Sequence, residues 1–177
     1  MTCIVALESE GKVYLGSDSF LGTGVIRDVI DTPKFFVKDD LVIAYAGGVR
    51  PAQLVEHDLK VRKRRKNESD MTYLINVVVE SIKKALERHG VPTQPDKSET
   101  DFIIVYQHKI YVLQGDFSLV RSNLGFAAIG VGQDYAYGAL TILSKLQIPS
   151  QTKVQMALEA AEKMCPQVCA PFHIVEV

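Results

Sequence analysis

The second residue of the chain is a threonine, and a threonine at a free N-terminus carries both halves of an acyl-transfer catalyst. Its α-amine has an ordinary pKa of about 7.7–8.0, so part of it is a neutral base at neutral pH. That amine can take the proton from the same residue's Oγ, directly or through water, and activate a weak nucleophile. Thr2 gains this property only when Met1 is removed, because an acylated amine is no base. A lysine beside it, Lys34, would lower the amine's pKa, since like charge disfavours the protonated form. Two unit charges about 4 Å apart interact by about 4 kcal/mol near a protein surface, enough to matter. Asp18 is the carboxylate that would hold Lys34 charged and oriented. Gly47-Gly48 offers backbone N–H groups that a reacting carbonyl oxygen can approach closely.

Secondary structure has to bring these positions together. Cys3 to Leu7 and Lys12 to Gly16 read as strands, and Ser9-Glu10-Gly11 suits a three-residue hairpin loop with glycine in the left-handed position. With Glu10 at the loop centre, facing residues have numbers summing to about twenty, which places Asp18 opposite Thr2 on the same face. A looser stretch follows from Ser19 to Pro33. Lys34 to Val37 and Leu41 to Ala46 flank Lys38-Asp39-Asp40 as a second hairpin. Pro51 suits the first turn of a helix with Leu54, Leu59 and Val61 on its apolar side. A second helix runs from about Met71 to His89, with Leu74, Val77, Val78, Ile82, Ala85 and Leu86 at helical spacing, and Gly90 and Pro92 stop it. Strands return at Phe102 to Tyr106, Ile110 to Leu113 and Phe126 to Ile129. Helices from about Tyr135 to Leu146 and Thr152 to Met164 follow, the latter capped by Ser150. Phe172 to Val175 closes the chain as a strand. Strand runs separated by helix pairs favour an α+β fold over a parallel βαβ one. Two sheets between two helix layers would satisfy every apolar face.

Composition narrows the function classes. A chain of 177 residues suits a single domain spanning 1–177, and 47% hydrophobic with 23% charged residues is ordinary globular composition. The net charge of −1 argues against a general polyanion binder, so no nucleic-acid partner is expected. No apolar run approaches the length of a membrane span, and the N-terminus lacks a basic lead and a signal-length apolar core. Three cysteines, Cys3, Cys165 and Cys169, are too few for a disulfide framework. A reduced, cytoplasmic protein is the expectation.

In these residues the sequence resembles the proteasome β-subunits and, more closely, the HslV-type bacterial peptidases. The matching residues are Thr2-Cys3-Ile4-Val5-Ala6, Gly11 through Gly16-Ser17-Asp18, Lys34, and Val42-Ile43-Ala44-Tyr45-Ala46-Gly47-Gly48. The ending Phe172-His173-Ile174-Val175-Glu176 is also similar. The resemblance implies the four-layer αββα sandwich of the N-terminal-nucleophile hydrolases. It implies Thr2 as nucleophile with its own amine as base, Lys34 and Asp18 as charged supports, and Gly47 as oxyanion donor. Gly22, Thr23 and Gly48 would hold substrate backbone. It also implies a homo-oligomeric ring acting on unfolded polypeptide or peptide substrates, an ATP-dependent unfoldase as a possible partner, and no cofactor. Two positions depart from the family pattern. Val131 stands in Gly130-Val131-Gly132 where a serine is usual, and Lys163 to Gln167 contains no aspartate to support the threonine amine. Only Cys169 answers to the HslV cation loop. A catalytically silent ring subunit, serving as scaffold or interaction module, is therefore the alternative reading.

The remaining signals have plainer explanations. Lys60-Val61-Arg62-Lys63-Arg64-Arg65-Lys66 reads as a solvated helix end before it reads as a docking patch. Cys165 and Cys169 have no second ligand pair, and the four histidines show no metal-ligand spacing, so no metal site is expected. Gly130-Val131-Gly132 lacks the full glycine pattern of a phosphate loop.

Overall fold

A computed structural model describes residues 1–22, 26–93 and 100–177. The first hairpin pairs β1 (Ile4–Ser9) with β2 (Lys12–Ser17). Its turn is tighter than the glycine position alone suggests. Glu10 and Gly11 both have positive φ, 53° and 75°, and Ser9 pairs directly with Lys12. Two left-handed residues make a two-residue turn whose twist matches that of the strands. Facing numbers therefore sum to 21, as in Ile4 with Ser17. This corrects the expected register by one residue. Asp18 stands opposite Cys3 rather than Thr2, and the Asp18 amide donates to the Cys3 carbonyl at 3.2 Å.

The stretch expected to be loose contains β3 (Phe20–Gly22) and β4 (Arg27–Val29), paired as a two-stranded sheet. The second hairpin joins β5 (Phe35–Lys38) to β6 (Leu41–Ala46), with Asp39 at φ 55° in the turn. Helix α1 (Val49–Asp58) begins before Pro51. The second helical region is continuous but not uniform: α2 (Asp70–Tyr73), a π-helical stretch Leu74–Val79, and α3 (Glu80–Arg88). Its start is capped by Ser69, whose Oγ accepts from the Thr72 amide at 3.1 Å. Strands β7 (Asp101–Tyr106), β8 (Lys109–Leu113), β9 (Leu119–Val120) and β10 (Phe126–Ile129) follow. Helices α4 (Gln133–Leu143) and α5 (Ser150–Met164) and strand β11 (His173–Glu176) complete the chain. Pro149, not Ser150, takes the cap position of α5.

Antiparallel pairing gives two main sheets, β10-β1-β2-β11 and β5-β6-β7-β8-β9. Period-two alternation assigns each strand's residues to two different cores. Cys3, Val5 and Leu7 pack with Ala136 and Leu140 of α4 and Val154 and Leu158 of α5. Ile4, Ala6, Val13 and Leu15 face Val42, Ala44, Ile103 and Val105 of the other sheet. Leu41, Ile43, Phe102 and Ile104 turn outward to α1 and the α2–α3 helix. The layers are thus helix, sheet, sheet, helix, the αββα sandwich expected. Among the described residues no helix is long and apolar enough to cross a membrane.

Candidate active site

Thr2 precedes β1 by two residues and is buried, 2% exposed, at one end of the inter-sheet space. Around it converge the end of β2, the start of β5, and the turn between β10 and α4. Asp18, fully buried just past β2, is the hub. Its Oδ1 accepts from the Cys3 amide at 2.9 Å and from Lys34 Nζ at 2.7 Å. Its Oδ2 accepts from the Phe20 amide at 3.0 Å and the Cys169 amide at 3.4 Å. Lys34 is 2% exposed, and its Nζ also donates to the carbonyls of Phe20 at 2.8 Å and Met1 at 3.4 Å. A buried ammonium is costly unless paired and hydrogen-bonded, and these partners meet that requirement. Burial pulls the Lys34 pKa below its ordinary value, while the Asp18 carboxylate opposes the shift.

Thr2 Oγ1 donates to the Met1 carbonyl at 2.5 Å. The Met1 amine sits below its ordinary pKa, through burial first and the Lys34 charge second, with Asp18 acting the other way. The electrostatics at this end of the sheet thus favour a neutral amine. Cys3, next to Thr2, is fully buried; desolvation, reinforced by Asp18, pushes its thiol up to about 12. It is a neutral packing group and no competing nucleophile.

The structure brings Thr2, Asp18 and Lys34 together. Gly47 follows β6 at φ 121°, and Gly48 caps α1 while its amide donates to Thr100 Oγ1 at 3.2 Å. Gly22 ends β3, two residues beyond Phe20, and Thr23 lies outside the described residues. Three contributors were not among the expected site residues. Gly130, at φ 92°, lies so close to Thr2 that a Cβ there would sit 2.3 Å from the Thr2 carbonyl oxygen and 3.0 Å from Ala46 Cβ. The Gly132 amide donates to that same carbonyl at 3.4 Å. Ser17 Oγ accepts from the Lys34 amide at 3.3 Å, fixing the start of the lysine's strand. The glycine pair 130 and 132 was the only sequence signal for the first two.

A cavity of about 460 Å³ opens beside the Lys34 segment, lined by Leu21, Thr32, Phe35, Phe36, Tyr45 and Val49 among others. Larger but more open hollows lie away from Thr2. One is walled by the basic run, which is an irregular segment after α1 and not a helix end. Glu68 ties it down, accepting from Arg62 at 2.8 and 2.6 Å and from the Arg65 amide at 3.1 Å. Those bonds hold the Glu68 carboxyl well down, at about 2.

Comparison with known proteins bears on the fold that holds these residues. No known family profile matches the chain. A curated relative, the ATP-dependent protease subunit HslV of Ligilactobacillus salivarius (strain UCC118), is 25% identical over 148 residues, covering 82% of this chain and 80% of the relative. Among solved structures, Thiobacillus denitrificans BPH in complex with epoxomicin superposes with a TM-score of 0.84 at 15% identity, covering 99% of this chain and 97% of that one. HslV from Trypanosoma brucei gives 0.71 at 17%, covering 98% of each chain. The Anbu Gly-1 mutant from Hyphomicrobium sp. strain MC1 gives 0.75 at 16%, covering 99% of this chain and 80% of its own. The fold is that of the proteasome-type N-terminal-nucleophile hydrolases, and the HslV-like resemblance read from the first fifty residues is borne out.

Proposed function

We propose that this HslV-like chain is a threonine-type peptidase subunit of a self-compartmentalised ring, hydrolysing peptide bonds in unfolded polypeptides once Met1 has left Thr2. The observation that carries the reading is the buried Asp18–Lys34 pair at 2.7 Å, whose ammonium points at the Met1 carbonyl beside Thr2. A fold does not need a desolvated lysine just ahead of β5; perturbed charges of this kind cluster where chemistry is done.

After Met1 leaves, the Thr2 amine lies in the field of Lys34 and is held as the neutral base. It takes the Oγ proton as Oγ attacks the substrate carbonyl carbon. The tetrahedral oxyanion is met by the Gly47 amide. Collapse expels the substrate amine, which takes that proton from the Thr2 ammonium, and leaves an ester on Thr2 Oγ. Water, deprotonated by the Thr2 amine, attacks that ester; the acid product departs and Thr2 Oγ takes the proton back. These steps draw on groups of the chain itself. Gly22, Thr23 and Gly48 hold the substrate backbone, and the cavity beside Lys34 receives a side chain. A homo-oligomeric ring, a cytoplasmic setting and an ATP-driven unfoldase belong to this reading, since the curated relative is named as an ATP-dependent protease subunit.

The silent-subunit reading rests on Val131, 44% exposed where the family usually has serine, and on the lack of a carboxylate between Lys163 and Gln167. Intact mass joined to a peptide-hydrolysis assay decides between them. The peptidase reading expects loss of the N-terminal methionine and turnover abolished by Thr2→Ala. Methionine-free protein without turnover, or turnover unchanged in Thr2→Ala, refutes it.

A further inference from the structure

The Gly47 amide is the oxyanion donor of the peptidase reading, on which this inference rests. Such a donor is useful only if its direction is fixed before the oxyanion forms. Glycine is poorly suited to fixing itself. Gly47 has φ 121°, a conformation that side chains rarely allow, and it has no side chain to pack. Its neighbours must hold it. Ala46, the last residue of β6, pairs with Asp101, the first residue of β7. On the other side, the Gly48 amide donates to Thr100 Oγ1 at 3.2 Å. Thr100 is 5% exposed, and a Cβ on Gly48 would lie 3.5 Å from that oxygen. Two consecutive residues, Thr100 and Asp101, therefore hold the chain on the two sides of Gly47. The place they hold is beside Thr2: a Cβ on Gly130 would lie 2.3 Å from the Thr2 carbonyl oxygen and 3.0 Å from Ala46 Cβ.

We propose that Thr100 is a positioning residue for the oxyanion donor: its hydroxyl oxygen fixes the Gly47–Gly48 peptide plane, and through it the direction of the Gly47 amide. Thr100 acts without touching substrate. The Gly48 N–H and the Gly47 carbonyl belong to one planar peptide unit. Loss of the bond to Thr100 frees that unit to turn about the Gly47 dihedrals, with no side chain to resist it. Threonine suits the task because its β-branch stiffens χ1 and keeps the acceptor in one place. A single neutral hydrogen bond adds modestly to folding stability. A misdirected oxyanion donor, in contrast, raises the barrier alone and leaves ground-state binding as it was. The effect of Thr100 therefore belongs in kcat.

Two variants test this. Thr100→Val keeps the shape and removes the acceptor, while Thr100→Ser keeps the acceptor. Peptide hydrolysis should show kcat lowered about 100-fold in Thr100→Val, the size of effect that loss of one oxyanion donor produces. KM should change by less than about 3-fold, as expected for an interaction made only in the transition state. The pH midpoint of kcat/KM should not move, because the Thr2 amine, Lys34 and Asp18 are untouched. Thr100→Ser should restore kcat to within about 10-fold of the wild-type protein. Amide hydrogen exchange gives a reading independent of turnover. The Gly48 amide should exchange about 10-fold faster in Thr100→Val than in the wild-type protein or Thr100→Ser. Unchanged kcat in Thr100→Val overturns the proposal, as does unchanged Gly48 exchange. Equal loss of kcat in both variants also overturns it, since the hydroxyl would then play no part. Wild-type protein that hydrolyses no peptide, with Gly48 exchange responding as expected, would defeat the peptidase reading and leave the Thr100–Gly48 anchor standing.

Discussion

At the scale of single residues, Asp18 and Lys34 form an unequal pair. Asp18 keeps the Cys3, Phe20 and Cys169 amides as donors even without the lysine, whereas Lys34 without Asp18 retains only carbonyl partners. Removing one partner of a buried ion pair costs about 3–5 kcal/mol when it strands the other charge. Asp18→Asn should approach that figure, and Lys34→Met should cost clearly less. The double substitution should be more stable than Asp18→Asn alone, since no ammonium is then stranded. Urea denaturation of the four proteins measures this cycle; equal costs for the two single changes would show that the charges are not coupled as drawn. The same geometry explains the lowered Lys34 pKa. Desolvation outweighs the carboxylate's pull, leaving the ammonium poised to repel a second positive charge nearby.

At the scale of elements, the turn between β10 and α4 decides where Thr2 sits. Gly130 is in the left-handed region with no room for a side chain, so Gly130→Ala meets backbone strain and a clash with the Thr2 carbonyl. About 1–3 kcal/mol of stability should be lost to the strained conformation alone. A shift of Thr2 by about 1 Å would cost about 100-fold in turnover on the peptidase reading. Gly125 provides the control, with φ 72° but nothing within 4 Å of an added Cβ. Gly125→Ala should show a similar strain cost with turnover intact. Melting curves and peptide hydrolysis on both variants separate the two effects; equal loss of turnover in both would remove Gly130 from the site. Helix and strand identities at this scale were largely legible, because Ile4 to Leu7 and Leu41 to Ala46 are apolar runs and the α2–α3 region repeats every three or four residues. The β3–β4 pair was not, since the short apolar segment Val25 to Ile30 lies in a stretch with three glycines and Arg27-Asp28-Val29 is exposed.

At the scale of the whole molecule, the two sheets meet through small and branched residues, Ala6, Ala44, Val105 and Ile4 among them. If the chain works as a self-compartmentalised peptidase, its active sites must face an enclosed space. Native mass spectrometry should then show a closed ring of identical subunits, dissociating without loss of secondary structure. A single-protomer mass at micromolar concentration, with peptide turnover preserved, would count against compartmentalisation while leaving the catalytic site in place.

The amino-acid sequence by itself determined the layer order and the candidate site residues. Alternation and helical periodicity follow from side-chain polarity along the chain, and the spacing of Thr2, Asp18, Lys34 and Gly47 is written in residue numbers. Tertiary structure decided the rest. The register of the first hairpin turned on whether Glu10 would join Gly11 at positive φ, a one-residue matter that polarity does not encode. It moved Asp18 from Thr2 to Cys3, where the carboxylate accepts from the Cys3 amide just ahead of β1 and from Lys34 Nζ. Gly130 and Gly132 became part of the site only when β10 paired with β1 and carried them to Thr2, a contact across more than a hundred residues that no local pattern announces.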